Sequence, residues 1–338
     1  MSRKKYISLF IFLMIMSKIA NAESIDEKID EDIRKINEIE SQMKYDRELV
    51  KNEAGSVHID TNEKVSLTFN ADYSTPTSYV VYSNGKPNSV KIVNNATLSS
   101  RAEVITSLHN HDFTNLIHVT NNKNLIGTAD NVNAVSLIGK YVYFKNSKGA
   151  LLTARNYYKS MTFIAQELGV LDNAGTIEKT VEMLLKKGGS IINRSTGKHD
   201  DINIYSYAGV NYKNEGEVSG KVTIGTRKGL NFVNTGIIKG DVDIRSGVSN
   251  LNFQNFGKIE GEEVKLGVVK GRIDNNKEII GNLVVTESGR IFKKEELEKI
   301  KKDSMLNVNL QNGKVKGDLI LKRRGLQETI VIIKSMDN

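Results

Sequence analysis

Short runs in which apolar and polar residues alternate dominate the chain after residue 56. Segments such as 221–224 (KVTI) and 241–244 (DVDI) place every second side chain on one face, which is the period of a β-strand. Turn-forming residues, as in 84–87 (NGKP), separate the runs. A brief helical spacing of apolar positions occurs at 155–168 and 177–187, and a helical pattern returns in the charged stretch near 293–303. The pattern predicts an all-β domain with two short helical interruptions.

The apolar and polar positions also recur at a longer period of 20 or 21 residues. One column consists of asparagines: Asn173, Asn193, Asn214, Asn234, Asn255 and Asn275. A second column consists of glycines: Gly220, Gly240, Gly261 and Gly281. Turns between hairpin strands would recur at about 8–12 residues and without a strict register. Two columns with one period therefore indicate stacked coils.

A unit of about twenty residues is too small to bury its apolar face alone, so it must stack on its neighbours. The sequence predicts a right-handed parallel β-helix, or solenoid, with coils of 20–21 residues. Asparagine tolerates the left-handed backbone conformation of a bend, and its amide can bind the amide of the next coil. Glycine supplies a positive φ or room for close backbone approach.

The period divides the mature chain into regions. Residues 56–169 are predicted to form an irregular β region, because Asn95, Asn121 and Asn146 mark early coils 25 to 27 residues long. Residues 170–338 form the regular solenoid, with a charged helical insertion at 293–303. The series resumes at 306–321, where Asn312 and Gly317 are expected to occupy the column positions.

Residues 23–55 form a charged segment whose apolar residues recur every three or four positions, as on one face of a helix. These residues are Ile25, Ile29, Ile33, Ile36, Ile39 and Met43. Two interpretations remain open. The helix caps the N-terminal end of the β domain, or it joins copies of the chain through a short coiled coil over 23–50.

Residues 1–22 have the features of a secretory signal peptide. Basic residues at 3–5 precede an apolar run at 6–16, and Ala20-Asn21-Ala22 fits a signal-peptidase site. We expect export through the Sec pathway with cleavage after Ala22. The segment holds four basic and no acidic residues, so the net charge falls from +8 to 8 − 4 = +4 in the mature chain. That mild charge, without basic runs interleaved with aromatic residues, predicts no nucleic-acid partner.

Candidate chemistry is sparse. The chain has no cysteine, which excludes disulfides and thiolate metal sites. A β-helix polysaccharide lyase or hydrolase needs converging carboxylates, and only Asp241 and Glu262, flanked by Lys221, can meet on adjacent coils. We interpret this column as a solvated face and the Asp200–Asp201 pair as a turn.

Three histidines lie close together in the sequence, and we interpret them as polar surface residues. His109 and His111 would share one strand face, which a metal can use, but no third ligand follows His118 at a firm spacing. We therefore predict no catalytic, cofactor or metal site.

The repeat units 173–177 (NAGTI), 214–222 (NEGEVSGKV), 234–242 (NTGIIKGDV) and 255–261 (NFGKIEG) carry a resemblance. They resemble the N-x-G-x-I-x-G-x-V repeats in passenger domains of bacterial autotransporter adhesins, especially fusobacterial ones. The resemblance implies a virulence-associated protein at the cell surface or outer membrane, or secreted. Its partners would be host or bacterial surface glycans or proteins.

Autotransporters also end in a β-barrel translocator, and no series of amphipathic ten-residue strands follows the solenoid in this sequence. The resemblance therefore leaves two expectations open: a barrel that was lost or lies on a separate chain, or a solenoid without its own translocator. The function expected is that of an adhesin without catalysis. Two alternatives remain open: a β-helix carbohydrate-active enzyme and a purely structural stalk.

Overall fold

The computed structural model describes residues 24–59, 62–76, 79–84, 89–108, 114–286, 306–322 and 329–332. Parallel strands stack as a β-solenoid of about 10 turns, with a short helix at the N-terminal side. The predicted all-β parallel solenoid is confirmed. Its coils average about 22 residues, because the early coils are longer than the 20–21 residues of the regular repeat.

Each coil contributes to three faces, of which the first and second belong to one 21-stranded sheet and the third to an 11-stranded sheet. The first face contains β2 (Val57–Ile59), β5 (Val81–Asn84), β8 (Ile105–Leu108), β15 (Thr180–Leu185), β18 (Ile202–Ser206), β21 (Val222–Thr226), β28 (Asn282–Thr286) and β31 (Leu319–Lys322). The second face contains β1 (Arg47–Lys51), β3 (Lys64–Phe69), β6 (Ser89–Asn94), β9 (Thr114–Asn121), β16 (Gly189–Asn193), β19 (Gly209–Asn214), β22 (Gly229–Asn234), β29 (Leu306–Asn309) and β32 (Thr329–Ile332).

Four long strands pass from the first face to the second: β11 (Val135–Asn146), β13 (Lys159–Asn173), β24 (Val242–Asn255) and β26 (Glu263–Asn275). The third face contains β4 (Tyr73–Thr75), β7 (Thr97–Ser100), β10 (Asn124–Asp130), β12 (Leu151–Asn156), β14 (Thr176–Ile177), β17 (Lys198–His199), β20 (Glu217–Val218), β23 (Ile237–Ile238), β25 (Lys258–Ile259), β27 (Glu278–Ile279) and β30 (Lys314–Val315). Side chains alternate inward and outward on every face, so each inward position forms a column through the coils.

The core consists of such columns of fully buried side chains. On the second face Tyr212, Phe232 and Phe253 are successive members of one column. Their ring centroids are 5.0 Å and 4.9 Å apart, which is close to the spacing of adjacent strands. Each ring is therefore covered above and below by its neighbours. Stacking, rather than a globular centre, buries the apolar surface.

The predicted asparagines stack at the corner between the second and third faces. Eight side-chain hydrogen bonds of 2.8–2.9 Å join Asn94, Asn121, Asn146, Asn173, Asn193, Asn214, Asn234, Asn255 and Asn275 in order. Each Nδ2 donates to the Oδ1 of the next coil, and all nine side chains are fully buried. We call this series the amide ladder.

Three expectations about the amide ladder are corrected. Its first member is Asn94, whereas Asn95 hydrogen-bonds at the surface to Asn70. Asn312 is exposed, and Leu310 follows the last residue paired with the Asn275 strand. The bend does not use the left-handed conformation, since the non-glycine residues with positive φ among those described are Asn131 and Lys179.

The glycine column lies at the corner between the third and first faces. A Cβ on Gly240 would lie 2.2 Å from the carbonyl oxygen of Gly220, and one on Gly261 would lie 2.6 Å from that of Gly240. No side chain fits between backbones so close. Gly281 lies equally close to the preceding coil and also has a φ of +119°, which residues other than glycine rarely adopt. Gly317 continues the column.

The two predicted helical interruptions are wrong. Residues 155–168 contribute to β12 and β13, and 177–187 contain β15. Buried Val181, Met183 and Leu185 alternate with less buried neighbours, so the two-residue period prevails where a parallel neighbour strand is present on each side. The insertion predicted at 293–303 and the signal peptide lie outside the described residues.

The N-terminal helix α1 extends over Ile25–Ser41 and begins with a capping box formed by Ser24 and Glu27. It is shorter than the predicted segment 23–55, because Arg47–Lys51 already pairs with β3. The helix packs across the second face, against β11, β13, β16 and β19. It does not sit over an end of the solenoid, as the capping interpretation expected.

Candidate functional site

The outer surface beneath α1 is apolar. Ile36 is fully buried against Leu116, Tyr143 and Val170, which point outward from three successive coils. These outward residues would otherwise expose a contiguous apolar patch on a polar flank. The helix therefore completes the surface of the early coils.

Polar contacts fix the ends of α1. Asp26 forms an ion pair with Lys213 at 2.5 Å, and Asp32 Oδ2 accepts a hydrogen bond from Ser190 Oγ at 2.6 Å. Near the other end, Glu40 contacts His118 and Lys91. The hydrogen bond with His118, more than any other contact, lowers the pKa of Glu40 to about 2. Burial raises the pKa of Asp32.

The position of His118 corrects the surface interpretation, because this β9 side chain is buried beneath α1, against Glu40. His109 and His111 lie outside the described residues. Among the residues that the structure does describe, no cluster of three histidine, aspartate or glutamate side chains could hold a metal ion.

The predicted carboxylate pair is not assembled as expected. Val242 pairs with Val264, so Glu263 and not Glu262 follows Asp241 in the column. Asp241 Oδ1 accepts a hydrogen bond of 3.0 Å from the backbone N–H of Glu263. An extra residue between Gly261 and Val264, compared with the coil before, hid this register in the sequence.

Asp201 has the same role two coils earlier, where its Oδ1 accepts a 2.6 Å hydrogen bond from the Lys221 backbone N–H. Asp200 accepts a 2.8 Å hydrogen bond from the Lys179 backbone N–H. These bonds agree with the interpretation of both aspartates as turn residues.

A cleft on the first face is a candidate binding site that the sequence analysis missed. Two outward columns line it: Leu184, Tyr205, Gly225 and Arg245, and beside it Tyr207, Arg227 and Gly247. Lys186 lies next to Tyr207 at the edge of the cleft. The cleft has a volume of about 550 Å³ and is open to solvent. Its floor is low where Gly225 and Gly247 leave out a side chain. Two tyrosines and two arginines line this cleft, and these side chains make it a candidate for ligand binding.

The two tyrosines of the cleft are exposed although they belong to a continuous sheet face. Tyr205 is 50% and Tyr207 is 41% exposed. One edge of the Tyr205 ring lies over Gly225, at 3.4 Å from where a Cβ would be. Tyr207 has the Arg227 guanidinium carbon 4.3 Å and the Lys186 ammonium nitrogen 5.3 Å from its ring centroid.

Arg245 is held in place from one side by Asp243. Its Nη2 donates to Asp243 Oδ2 at 2.9 Å, and its Nε donates to Oδ1 at 3.3 Å. The Asp243 side chain is nearly buried, whereas 66% of the Arg245 side chain is exposed. The guanidinium is therefore oriented by the protein and still accessible to a ligand. The contact with Asp243 raises the pKa of Arg245 further.

His199 is a second residue that the sequence analysis passed over. It faces inward between Ile177 and Val218, and neither ring nitrogen has a hydrogen-bond partner. Burial lowers its pKa to about 3, so the ring is neutral in the folded protein. Alignment of 197–199 with 216–218 would have placed it in the core.

Comparison of the chain with protein-family models, with curated proteins and with solved structures gave no match. No helix in the described part of the chain is long and apolar enough to cross a membrane.

Proposed function

We propose that this protein is an exported, non-enzymatic contact protein of the bacterial surface, related in architecture to autotransporter passengers. The signal-like residues 1–22 and the N-x-G repeats support export and the passenger comparison. The observation that carries a binding role is the pair of exposed tyrosines, Tyr205 and Tyr207, beside Arg245 on a continuous solenoid wall.

The rigid strands and the tyrosine side chains of the first face both favour ligand binding. The strands that present the cleft are each hydrogen-bonded to a neighbour on both sides, so their side chains are displayed with little backbone freedom to lose. Tyrosine adds a large amphipathic contact area at a low cost in side-chain entropy. Asp241, by contrast, holds the Glu263 backbone with one carboxylate oxygen, which supports a structural role for the best catalytic candidate.

The test has two parts. Antibody labelling and external protease digestion of intact cells should detect the protein at the surface. The purified protein should then bind host cells or extracellular matrix saturably. Surface exposure without binding would favour the stalk, and turnover of pectin or glycosaminoglycan that is abolished by Asp241→Ala would favour the carbohydrate-active enzyme. Retention inside the cell would contradict the proposal.

A further inference from the structure

We propose that the first-face cleft binds an acidic oligosaccharide, with a sugar ring against Tyr205 and a carboxylate or sulfate on Arg245. This inference rests on the proposed contact function and names its ligand class. It is built from the two outward columns of the cleft and the charges around them.

The aromatic content of the cleft fits a sugar ring. The C–H groups on one face of a pyranose carry partial positive charge, and the face of an aromatic ring is negative. One edge of the Tyr205 ring lies 3.4 Å from where a Gly225 Cβ would be, and half of the Tyr205 surface stays exposed beside the low floor at Gly225. An apolar peptide would require a deeper and drier groove than this open one.

The charge of the cleft favours an acidic ligand. Lys186, Arg227 and Arg245 surround the rings, and the acids nearby are Glu182 and Asp243. Glu182 is paired with Lys159, outside the cleft. A guanidinium forms two parallel hydrogen bonds with a carboxylate or sulfate, and Arg245 is already oriented for such a contact.

The dimensions favour an oligomer over a single sugar. The lining residues extend over four coils, from Leu184 to Arg245, which corresponds to about 14 Å along the axis. Tyr205 and Arg245 lie two coils apart in one column, with Gly225 between them. One sugar residue above Tyr205 and the acidic group of the next above Gly225 would contact both side chains.

The test is a binding titration of the purified protein with tetragalacturonate, with its methyl ester and with a heparin-derived tetrasaccharide. We expect at least one acidic oligomer to bind and the neutral ester not to bind. Affinity for it should fall about tenfold or more in Arg245→Gln and in Tyr205→Ala, and Tyr205→Phe should keep most of it. The oligomer that binds distinguishes a uronate source from a sulfated one.

A matched control exists on another face. Arg272 is paired with Asp274 two positions away, as Arg245 is with Asp243, and Arg272 lies on the second face away from the tyrosine pair. Arg272→Gln removes the same charge and should not change the affinity. An equal loss in Arg272→Gln would mean that the cleft is not the site, and equal binding of the methyl ester would mean that the acidic group is not recognised. Either result would overturn the proposal.

Failure of this inference is distinguishable from failure of the proposed function. Binding to cells that persists in Arg245→Gln and Tyr205→Ala would overturn the saccharide site and leave the contact function in place. Thermal unfolding of each variant is measured beside that of the unmodified protein, so that a loss of affinity is counted only for a folded variant. Tyr158→Ala, which removes another exposed tyrosine, controls for the loss of an aromatic residue.

Discussion

On the second face, the outward side chains are apolar in the early coils and polar in the later coils, whereas the inward side chains are apolar in both. In the early coils its outward residues include Leu116, Tyr143 and Val170, and α1 covers them. The column of Tyr143 and Val170 continues with the polar residues Ser190, Asn211 and Asn231. Ser190 bonds to Asp32 of α1, and Asn231 Nδ2 donates to Asn211 Oδ1 at 2.8 Å in a half-buried position. The inward columns run through both regions without a break. The exterior of a coil is therefore free to change, provided that something covers any apolar residues.

The early and later coils also differ in length, but the asparagine corner between the second and third faces has the same geometry in both. The ladder asparagines are separated by 25 to 27 residues between Asn94 and Asn173, and by 20 or 21 residues from there to Asn275. The amide hydrogen bonds nevertheless keep one length of 2.8–2.9 Å. Loops absorb the extra residues, and the stacked corner sets the register.

The largest effect should come from the amide ladder. Asn234→Ala removes the buried ladder partners of Asn214 Nδ2 and Asn255 Oδ1, and the Asn214 Nδ2 keeps only its longer bonds of 3.3 Å to the carbonyls of Gly216 and Ile237. We expect the free energy of unfolding to fall by about 2–5 kcal/mol, since each unpaired buried group costs about 1–3 kcal/mol. Denaturant unfolding followed by circular dichroism measures it.

The control for this variant lies in the early coils, where the exposed side chains of Asn70, Asn95 and Asn122 hydrogen-bond to one another in order. Asn122→Ala removes two exposed hydrogen bonds, one to Asn95 at 2.8 Å and one from Ser147 at 2.6 Å, and should cost less than about 0.5 kcal/mol because water replaces both partners. Equal losses in the two variants would show that burial of the amide does not matter.

A somewhat smaller effect is expected where α1 covers the early coils. Ile36→Ala should destabilise the docked helix by about 2–4 kcal/mol, because Ile36 is fully buried against the second face. Hydrogen exchange should then show faster exchange in 25–41 and unchanged protection in the later coils. Asn37→Ala, on the exposed side of the helix, should leave both unchanged. Loss of protection throughout the solenoid would mean that the helix is not a separate layer.

A side chain added in the glycine column should destabilise the protein more than one added at a glycine outside that column. Gly240→Ala places a Cβ against the Gly220 carbonyl oxygen and should cost about 1–3 kcal/mol. Gly209→Ala is the matched control, because a Cβ there would lie 3.7 Å from the nearest oxygen. Its midpoint of unfolding should stay the same or rise slightly. A harmless Gly240→Ala would mean that adjacent coils can move apart at this corner.

The smallest effect is a dependence of the unfolding free energy on pH, which we expect from the buried His199. The pKa of His199 is lowered to about 3 in the folded protein, so the unfolded chain binds the proton first as the pH falls below about 6.5. Stability should therefore decrease by about 1 kcal/mol between pH 7 and pH 5.5, and further toward pH 3.

His199→Val should remove that part of the pH dependence, because valine occupies the same column at Val218. The measurement is the difference between the two proteins in unfolding free energy at several pH values. A difference that stays constant between pH 7 and pH 4 would show that His199 is not held neutral.

The repeated features of the fold could be predicted from the sequence, and the features that occur once could not. Asn214 and Gly240 recur at fixed spacing because every coil needs the same corner, so their role is visible without coordinates. The position of α1 depends on outward residues such as Leu116 and Tyr143, which lie far away in the sequence. The tyrosine cleft combines residues of several coils. Single-residue irregularities, as at Glu262, shift a column by one place and conceal which side chains meet.

The direction of the amide ladder has a consequence for the whole rod. Every Nδ2 points toward the later coil, from Asn94 to Asn275. If the amide of Asn193 turned over alone, two NH₂ groups would face each other on one side and two oxygens on the other. The orientation is therefore a collective property of the nine groups, and their dipoles add along the axis in the manner of a helix. The interior thus has an electrical polarity that a reversal of any single member cannot undo.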